Sequence, residues 1–424
     1  MADDADGVTV RPVSADRFVE FRDIVDYAFH PTAGPQDYDE EPERVADRYG
    51  AFDGDDLVSI CADYDLSARL RGEWVSLAGL AAVATPPEHR RQGYVSALIE
   101  AGLERWRGDY PLSALWPFDR SYYEQFGWAT GNTYGKVTCP PDQLAALRGA
   151  GAGQARPVTA DDWRELQAVH EAQAEGHTLA LKRTSETWWR ERVLHEGDDE
   201  RPWAYAWERE GEMCGYIVYE FTDQSGADTD GRQLKVSDMA AADHDAWEGL
   251  VGFLADHDSQ ASEIVFETDG RTDPLDVVID PDHVEYELKT GPMARVVDVV
   301  DALEACPYPD DADADLTLAL TDETADWNDG RFRLEVRAGE GECTAVGADT
   351  DADPDADPEP DADPEPDANP DATMDIGTLS QLVVGYHGVA AARRVGGLSV
   401  ADEESAETLA SLFPTENGYL RTFF

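Results

Sequence analysis

A chain of 424 residues exceeds one ordinary domain and calls for two to four. Its 90 acidic residues against 33 basic ones leave a formal charge of −57, which repels phosphate and argues against nucleic acid as a partner. Five scattered cysteines with no Cys-x-x-Cys pair fit neither a disulfide framework nor a zinc site and suit a reducing cytoplasm, while no run of about 18 apolar residues and no leader-like segment points to a membrane.

Only four of the basic residues are lysines, Lys136, Lys182, Lys235 and Lys289. Acid spread along the whole chain, with Arg in place of Lys, predicts a protein solvated in concentrated salt and a haloarchaeal source. At molar ionic strength the Debye length falls to roughly 3 Å, so repulsion between carboxylates is screened.

Val8 to Pro12 alternates as a strand, and Ser14 or Asp16 can cap a helix carrying Phe18, Phe21, Ile24, Val25 and Ala28. Ala51 to Tyr64 reads as a hairpin around Asp53-Gly54, and Trp74 to Ala84 as an apolar strand. That strand ends at a proline pair and a basic turn, Glu88-His-Arg-Arg-Gln-Gly-Tyr-Val95, which opens onto the helix from Val95 to Arg107. A strand, an amide-rich turn and a helix N-terminus form an anion site, because unpaired N–H groups and the positive end of the helix dipole meet there. Arg90 and Arg91 add charge, so the segment predicts a phosphate or pyrophosphate site. A strand at 112–116 and a short helix from Tyr122 to Phe126 follow, and Lys136 to Cys139 is expected to be the last strand of this α/β layout.

Gly149 to Gly153 reads as a flexible linker. Beyond it Ala155-Arg-Pro-Val-Thr-Ala-Asp-Asp-Trp163 echoes Val10-Arg-Pro-Val-Ser-Ala-Asp-Arg-Phe18, which suggests a second copy of the same opening. A helix to Ala174, strands at 203–207, 214–221 and 234–239, a helix from Trp247 to Ala255 and a strand at 264–266 continue the echo. The basic turn is missing after the fourth strand, where Asp238-Met-Ala-Ala-Ala-Asp-His stands instead.

From Met293 the residues Val296, Val297, Val299, Val300 and Leu303 form an apolar stripe expected to be helical, followed by strands at 316–320 and 332–336. An Asp/Pro/Glu segment then runs from 348 to 372. Its Asp-x-Asp-x-Asp spacing lacks the Gly and the twelfth-position Glu of a calcium loop, so no metal is expected and the segment reads as a disordered acidic insertion. Leu379 to Val384 begins a helix, and the chain closes on Tyr419-Leu-Arg-Thr-Phe-Phe424.

Two segments together resemble the GCN5-related (GNAT) N-acetyltransferases: Arg90-Arg-Gln-Gly93-Tyr-Val95, and Tyr123-Glu-Gln-Phe126-Gly127-Trp128 after the strand at 112–116. Val95 departs from the small residue usual at its place. With the echoed second half and the α/β tail, the chain resembles the Eis-type (enhanced intracellular survival) acetyltransferases, whose last domain is similar to a sterol carrier protein. The resemblance implies an α/β (α+β) fold of three domains. Residues 1–147 form a catalytic GNAT domain, 154–291 a degenerate GNAT-like domain without CoA, and 292–424 a sterol-carrier-like domain holding the insertion. It implies acetyl-CoA as cosubstrate, a small-molecule or peptide amine as acceptor, and a homo-oligomer, commonly a hexamer.

Carried over by residue, the resemblance makes Tyr123 the general acid and the α-carboxylate of Phe424 the base. It assigns Val83, Thr85, Arg90, Arg91, Gly93, Tyr94 and Val95 to the cosubstrate, and Phe21, Asp26, Phe29 and Trp116 to the acceptor. Read plainly, Tyr123 is a core aromatic beside Phe126 and Phe424 a frayed end. Tyr122 is expected to point elsewhere, and His89 to be structural. The competing class is a non-catalytic acyl-CoA or lipid-binding sensor on the same scaffold. No acidic residue follows Glu416, which weighs against the aminoglycoside selectivity seen in this family.

Overall fold

The computed structural model describes residues 7–32, 34, 36, 38, 45–197, 201–226, 229–270, 274–347 and 369–424. The body of the acidic insertion, 348–368, lies outside the described residues. The chain begins with β1 (Val8–Pro12), α1 (Phe18–Phe29), β2 (Asp47–Asp53), β3 (Asp56–Leu70), β4 (Glu73–Ala84), α2 (Tyr94–Trp106), β5 (Leu112–Leu115), α3 (Arg120–Glu124) and β6 (Ala129–Thr130). Next come β7 (Thr133–Cys139), β8 (Gln154–Pro157), α4 (Trp163–Ala174), β9 (Trp203–Arg209), β10 (Glu212–Gly226), β11 (Thr229–Ala241), α5 (His244–Ala255), β12 (Glu263–Thr268), α6 (Pro274–Val277) and β13 (Glu285–Thr290). The last part holds β14 (Met293–Val296), α7 (Val299–Glu304), β15 (Asp313–Thr321), β16 (Gly330–Arg337), β17 (Glu340–Val346), β18 (Ala372–Asp375), α8 (Ile376–Val383), α9 (Val389–Val395), β19 (Leu398–Val400) and α10 (Glu403–Leu412).

Two compact units result. The first joins residues 1–131, 292–416 and 421–424; the second joins 132–291 and 417–420. The first unit contains a sheet in the order β1-β2-β3-β4-β5-β14-β6 and a second, five-stranded sheet in the order β17-β16-β15-β18-β19. The sheet of the second unit runs β13-β7-β12-β11-β10-β9-β8.

This topology corrects three expectations. The strand at 136–139 does not finish the first sheet: β7 lies between β12 and β13 of the second. Its place is taken by β14, expected to be helical, which pairs with both β5 and β6. Met293, Ala294, Arg295 and Val296 are all buried, and a strand covered on both faces lacks the alternation that would tell it from a buried helix. The helix proper starts only at Val299, where Asp298 accepts from the amides of Val300 and Asp301. Finally, 149–153 is a packed turn rather than a loose linker. A Cβ on Gly151 would collide with the Asp245 carbonyl, and one on Gly153 with the Trp207 indole.

Arg295 shows how β14 is held. Its guanidinium is fully buried, pairs with Asp322 at 2.6 Å and also donates to the Phe126 carbonyl, while Ser380 Oγ accepts from the Val296 amide at 2.8 Å. Removing either ionic partner would leave an uncompensated buried charge. No helix among the described residues is long and apolar enough to cross a membrane.

Candidate active site

The first sheet opens beside β4. Its parallel pairing with β5 covers Leu77–Leu80 against Leu112–Leu115 and then stops, although β4 runs on to Ala84. On the other edge the β3–β4 register slips between Ile60 and Ala62, and Ala82 adopts φ +50°. A bulge of this kind bends the strand and turns its backbone away from the neighbour. Ser59, fully buried, pins the bent end: its Oγ donates to the Ala84 carbonyl at 3.0 Å and lies 2.8 Å from Thr85 Oγ1.

A cavity of about 750 Å³ lies below this opening. Val83, Thr85, Arg90, Arg91, Gly93, Tyr94 and Val95, the residues expected to hold the cosubstrate, all line it. Arg91 (φ +61°) and Gly93 (φ +81°) are both left-handed, and nothing stands within 4 Å of where a Gly93 side chain would begin. Alternating turn conformations of this type aim successive amides at one point. The N-terminus of α2 has Gly93 at its cap, no side-chain cap and no acidic residue in its first turn. By contrast, aspartates cap α3, α5, α7, α8 and α10. In a chain so rich in aspartate, an open helix N-terminus with two arginines beside it is suited to an external anion.

The second unit repeats the frame, but its own side chains take the polar groups that stay open in the first. There β11 and β12 pair in parallel with α5 connecting them, but Asp243 occupies the cap, accepting from the Ala246 amide at 2.9 Å and pairing with Arg209. The edge amide of Ala241 is also taken, donating to Gln173 Oε1 at 2.8 Å.

Tyr122, expected to point elsewhere, faces the opening. Tyr122 lines the cavity, whereas Tyr123 is buried beneath it, ring centroids 5.4 Å apart. Tyr123 also packs edge-on to Phe118 and Trp128. Burial raises its pKa above the ordinary tyrosine range, with Tyr122 and Cys61 adding in the same direction. Its hydroxyl makes no hydrogen bond to any described residue. Tyr122 is raised by burial too, and a hydrogen bond from Ser96 opposes the shift.

The four residues expected at the acceptor separate. Phe29 lines the cavity. Phe21 does not reach it, being a core side chain packed with Val13, Val25, Phe52 and Ile60. The Asp26 carboxylate is buried and already committed to Arg22 at 3.1 Å and to the Tyr38 hydroxyl. Trp116 holds the end of the chain: its Nε1 donates to the Thr422 carbonyl at 3.0 Å, and its ring stacks on Phe423 at 4.1 Å. Phe424 follows on the sheet, edge-on to Tyr64 and over Gly79, where a Cβ would meet its ring at 2.8 Å. Gly79 is one residue before the last β4–β5 pair, so the terminus lies where the strands part. Phe118 and Ser96 also line the cavity. Phe118, two residues after Trp116, is a further residue that the resemblance brings to the acceptor pocket, whereas Ser96 carried no signal in the sequence.

A GNAT acetyltransferase domain model matches residues 9–131, another matches 179–296, and a sterol carrier protein domain model matches 299–421. N-acetyltransferase Eis of Mycobacterium tuberculosis is 28% identical over 325 residues, covering 72% of this chain and 75% of that protein. An uncharacterized N-acetyltransferase of Streptomyces avermitilis is 26% identical over 301 residues, covering 67% and 71%. Among solved structures, a probable N-acyltransferase from Enterococcus faecalis superposes with a TM-score of 0.82 at 20% identity, over 98% of this chain and all of that one. Eis1 from Mycobacterium abscessus gives 0.74 at 22% identity, again over 98% and 100%. At those identities the superpositions speak for the fold. With two acetyltransferase domains ahead of a sterol carrier protein domain, the chain is a GNAT N-acetyltransferase, similar over most of its length to the N-acetyltransferase Eis.

Proposed function

We propose that the first α/β unit moves an acetyl group from acetyl-CoA directly to a primary amine, on a small molecule or a lysine or peptide. The observation that carries this reading is the uncapped, arginine-flanked N-terminus of α2 at the mouth of a cavity that Val83 and Thr85 also line. Acetyl-CoA, the cosubstrate of this fold, supplies the activated thioester. The amides at the start of α2 with Arg90 and Arg91 hold its pyrophosphate, and the main chain at Val83 and Thr85 its pantetheine arm. An attacking amine must shed a proton, and the α-carboxylate of Phe424 accepts it, directly or through one water. Tyr123 donates a hydrogen bond to the departing sulfur. Its raised pKa keeps that donor protonated, and full proton transfer to a thiolate of ordinary pKa near 8.5 would be uphill. Positioning does the rest.

The second unit, with its cap filled by Asp243, serves as scaffold and takes no CoA. Five buried free thiols suit a reducing cytoplasm, the acidic surface suits molar salt, and a homo-oligomer is expected from the family resemblance. The deciding assay is thiol release from acetyl-CoA in molar KCl with a panel of amines. Tyr123→Phe should cut turnover about 10-fold or more while CoA affinity stays within twofold, the general-acid range being roughly 10²–10⁴ and a lone hydrogen bond less. If Tyr122→Phe shows that loss and Tyr123→Phe does not, the cavity-wall tyrosine is the donor.

A further inference from the structure

The mouth of the first unit gathers exposed aromatic side chains in a chain that is strongly acidic as a whole. The chain has 13 phenylalanines, and the only three counted as exposed are Phe29 (50%), Phe118 (70%) and Phe423 (70%). Phe29 and Phe118 line the cavity, and Phe423 lies open-faced on Trp116, two residues before Phe118. Exposed aromatic surface gathered at one opening marks a contact surface, because scattered single residues would be the ordinary case. The described lining of the cavity holds no Asp or Glu, which suits the anionic cosubstrate placed there and leaves the aromatic rim as the surface that the acceptor meets. The one carboxylate that α1 buries nearby, Asp26, is taken up by Arg22 and Tyr38.

A polycation needs carboxylates fixed at the site, and those attractions fade at molar ionic strength. Contact between flat apolar faces does not fade there. We infer that the acceptor is a primary amine borne on an aromatic group, an arylalkylamine or a peptide with an aromatic first residue. It is selected by Phe29, Phe118 and the Trp116–Phe423 stack in preference to polyamines and aminoglycosides. The inference rests on the acetyltransferase reading above and names the acceptor class of that site.

The test is calorimetric titration of the full-length protein in molar KCl, first with CoA and then, on the CoA-loaded protein, with 2-phenylethylamine, spermidine and kanamycin. Phenylethylamine should bind at least 10-fold more tightly than spermidine or kanamycin. Phe118→Ser and Phe423→Ser should each weaken phenylethylamine at least fivefold and leave spermidine within twofold. Both side chains are exposed, so the substitutions are compatible with folding. Equal or tighter binding of either polycation overturns the inference. So does a Phe118→Ser protein that loses CoA affinity while binding phenylethylamine unchanged, since Phe118 would then belong to the cosubstrate. Failure of the acetyltransferase reading would look different: no heat on adding CoA, or selective arylamine binding with no thiol release.

Discussion

The indole of Trp116 grips the chain end twice, donating to the Thr422 carbonyl at 3.0 Å and stacking on Phe423 at 4.1 Å. Trp116 follows directly on the last β5 residue to pair with β4, so the clamp ties the tail to the point where the sheet opens. If the Phe424 carboxylate is the base, Trp116 is its positioning residue. Trp116→Phe keeps a ring and removes the hydrogen bond, worth about 1 kcal/mol, and should lower kcat roughly fivefold. Trp116→Ala removes both contacts and should lower it further. CoA affinity should hold in both, because Trp116 does not line the cavity. A parallel loss of CoA binding would mean that the tryptophan supports the fold rather than the tail. Extending the chain beyond Phe424 should also suppress turnover.

Gly93 and Asp243 stand at the same point of two successive α/β repeats, and the repeats differ in what fills the helix N-terminus. Gly93→Asp would carry the second arrangement into the first. Asp at φ +81° costs about 1 kcal/mol, and its left-handed backbone differs from the extended one at Asp243, so no cap energy is gained in return. Net stability should fall by about that amount, with the fold kept. CoA affinity should fall by about 100-fold or more, since a fixed carboxylate would replace the anion and repel the pyrophosphate. Calorimetric titration with CoA reads the affinity and a thermal melt reads the fold. CoA binding retained within threefold would show that the α2 N-terminus is not the anion site.

How much of this was legible beforehand follows from the kind of signal involved. The turn from Glu88 to Val95 is local, with its glycine, its arginines and its following helix contiguous, and all seven expected cosubstrate residues meet on one cavity. What failed was non-local. Nothing near Thr133–Cys139 or Met293–Val296 says which sheet each strand joins: the first went to the sheet of the second unit, and the second, expected as a helix of the last domain, to the first sheet. Asp26 and Phe21 lie on the right helix, yet burial and the Arg22–Tyr38 partners decide that neither is free. Helical spacing separates Tyr122 from Tyr123 by about 100°, and only the packing of Phe118 and Trp128 shows which of them turns inward. Asp243 was visible as a missing motif, while its role as a cap came from the structure.

His170 supplies a pH test of the second unit. It is buried beside Trp189, with Nε2 2.9 Å from the Leu181 carbonyl. Burial, with the Arg183 charge assisting, lowers its pKa from 6.5 to about 3. The folded protein keeps it neutral, so between those values the unfolded chain binds a proton that the folded chain does not. Stability from this group is complete above pH 6.5 and is lost as pH falls toward 3, at about 1.4 kcal/mol per unit. Urea unfolding in molar KCl at pH 7 and pH 5 should therefore show an acid penalty about 2 kcal/mol smaller in His170→Gln than in the parent. Equal penalties would mean that the imidazole is not neutral in the fold.

Salt should act on this protein in the direction opposite to its ion pairs. Arginine–carboxylate pairs cover the surface, among them Arg190 with Asp161, Glu186 and Glu196, and screening weakens each. Exposed pairs contribute about 0–1 kcal/mol apiece, so their loss is a modest term. Against it stands a formal charge of −57, whose mutual repulsion disfavours the compact state and is screened by the same ions. Between 10 mM and 1 M salt the Debye length shrinks from about 30 Å to about 3 Å, which removes repulsion between all but adjacent carboxylates. The excess charge should win. The melting midpoint should then rise by about 10 °C or more from 0.1 M to 2 M KCl, on the scale of about 2–4 °C per kcal/mol for units of this size. Potassium bromide should act nearly as well as chloride, because screening depends on ionic strength. If sulfate stabilises and bromide does not, exclusion from apolar surface is the cause instead. A midpoint that ignores or falls with KCl would show that the acidic surface does not govern stability.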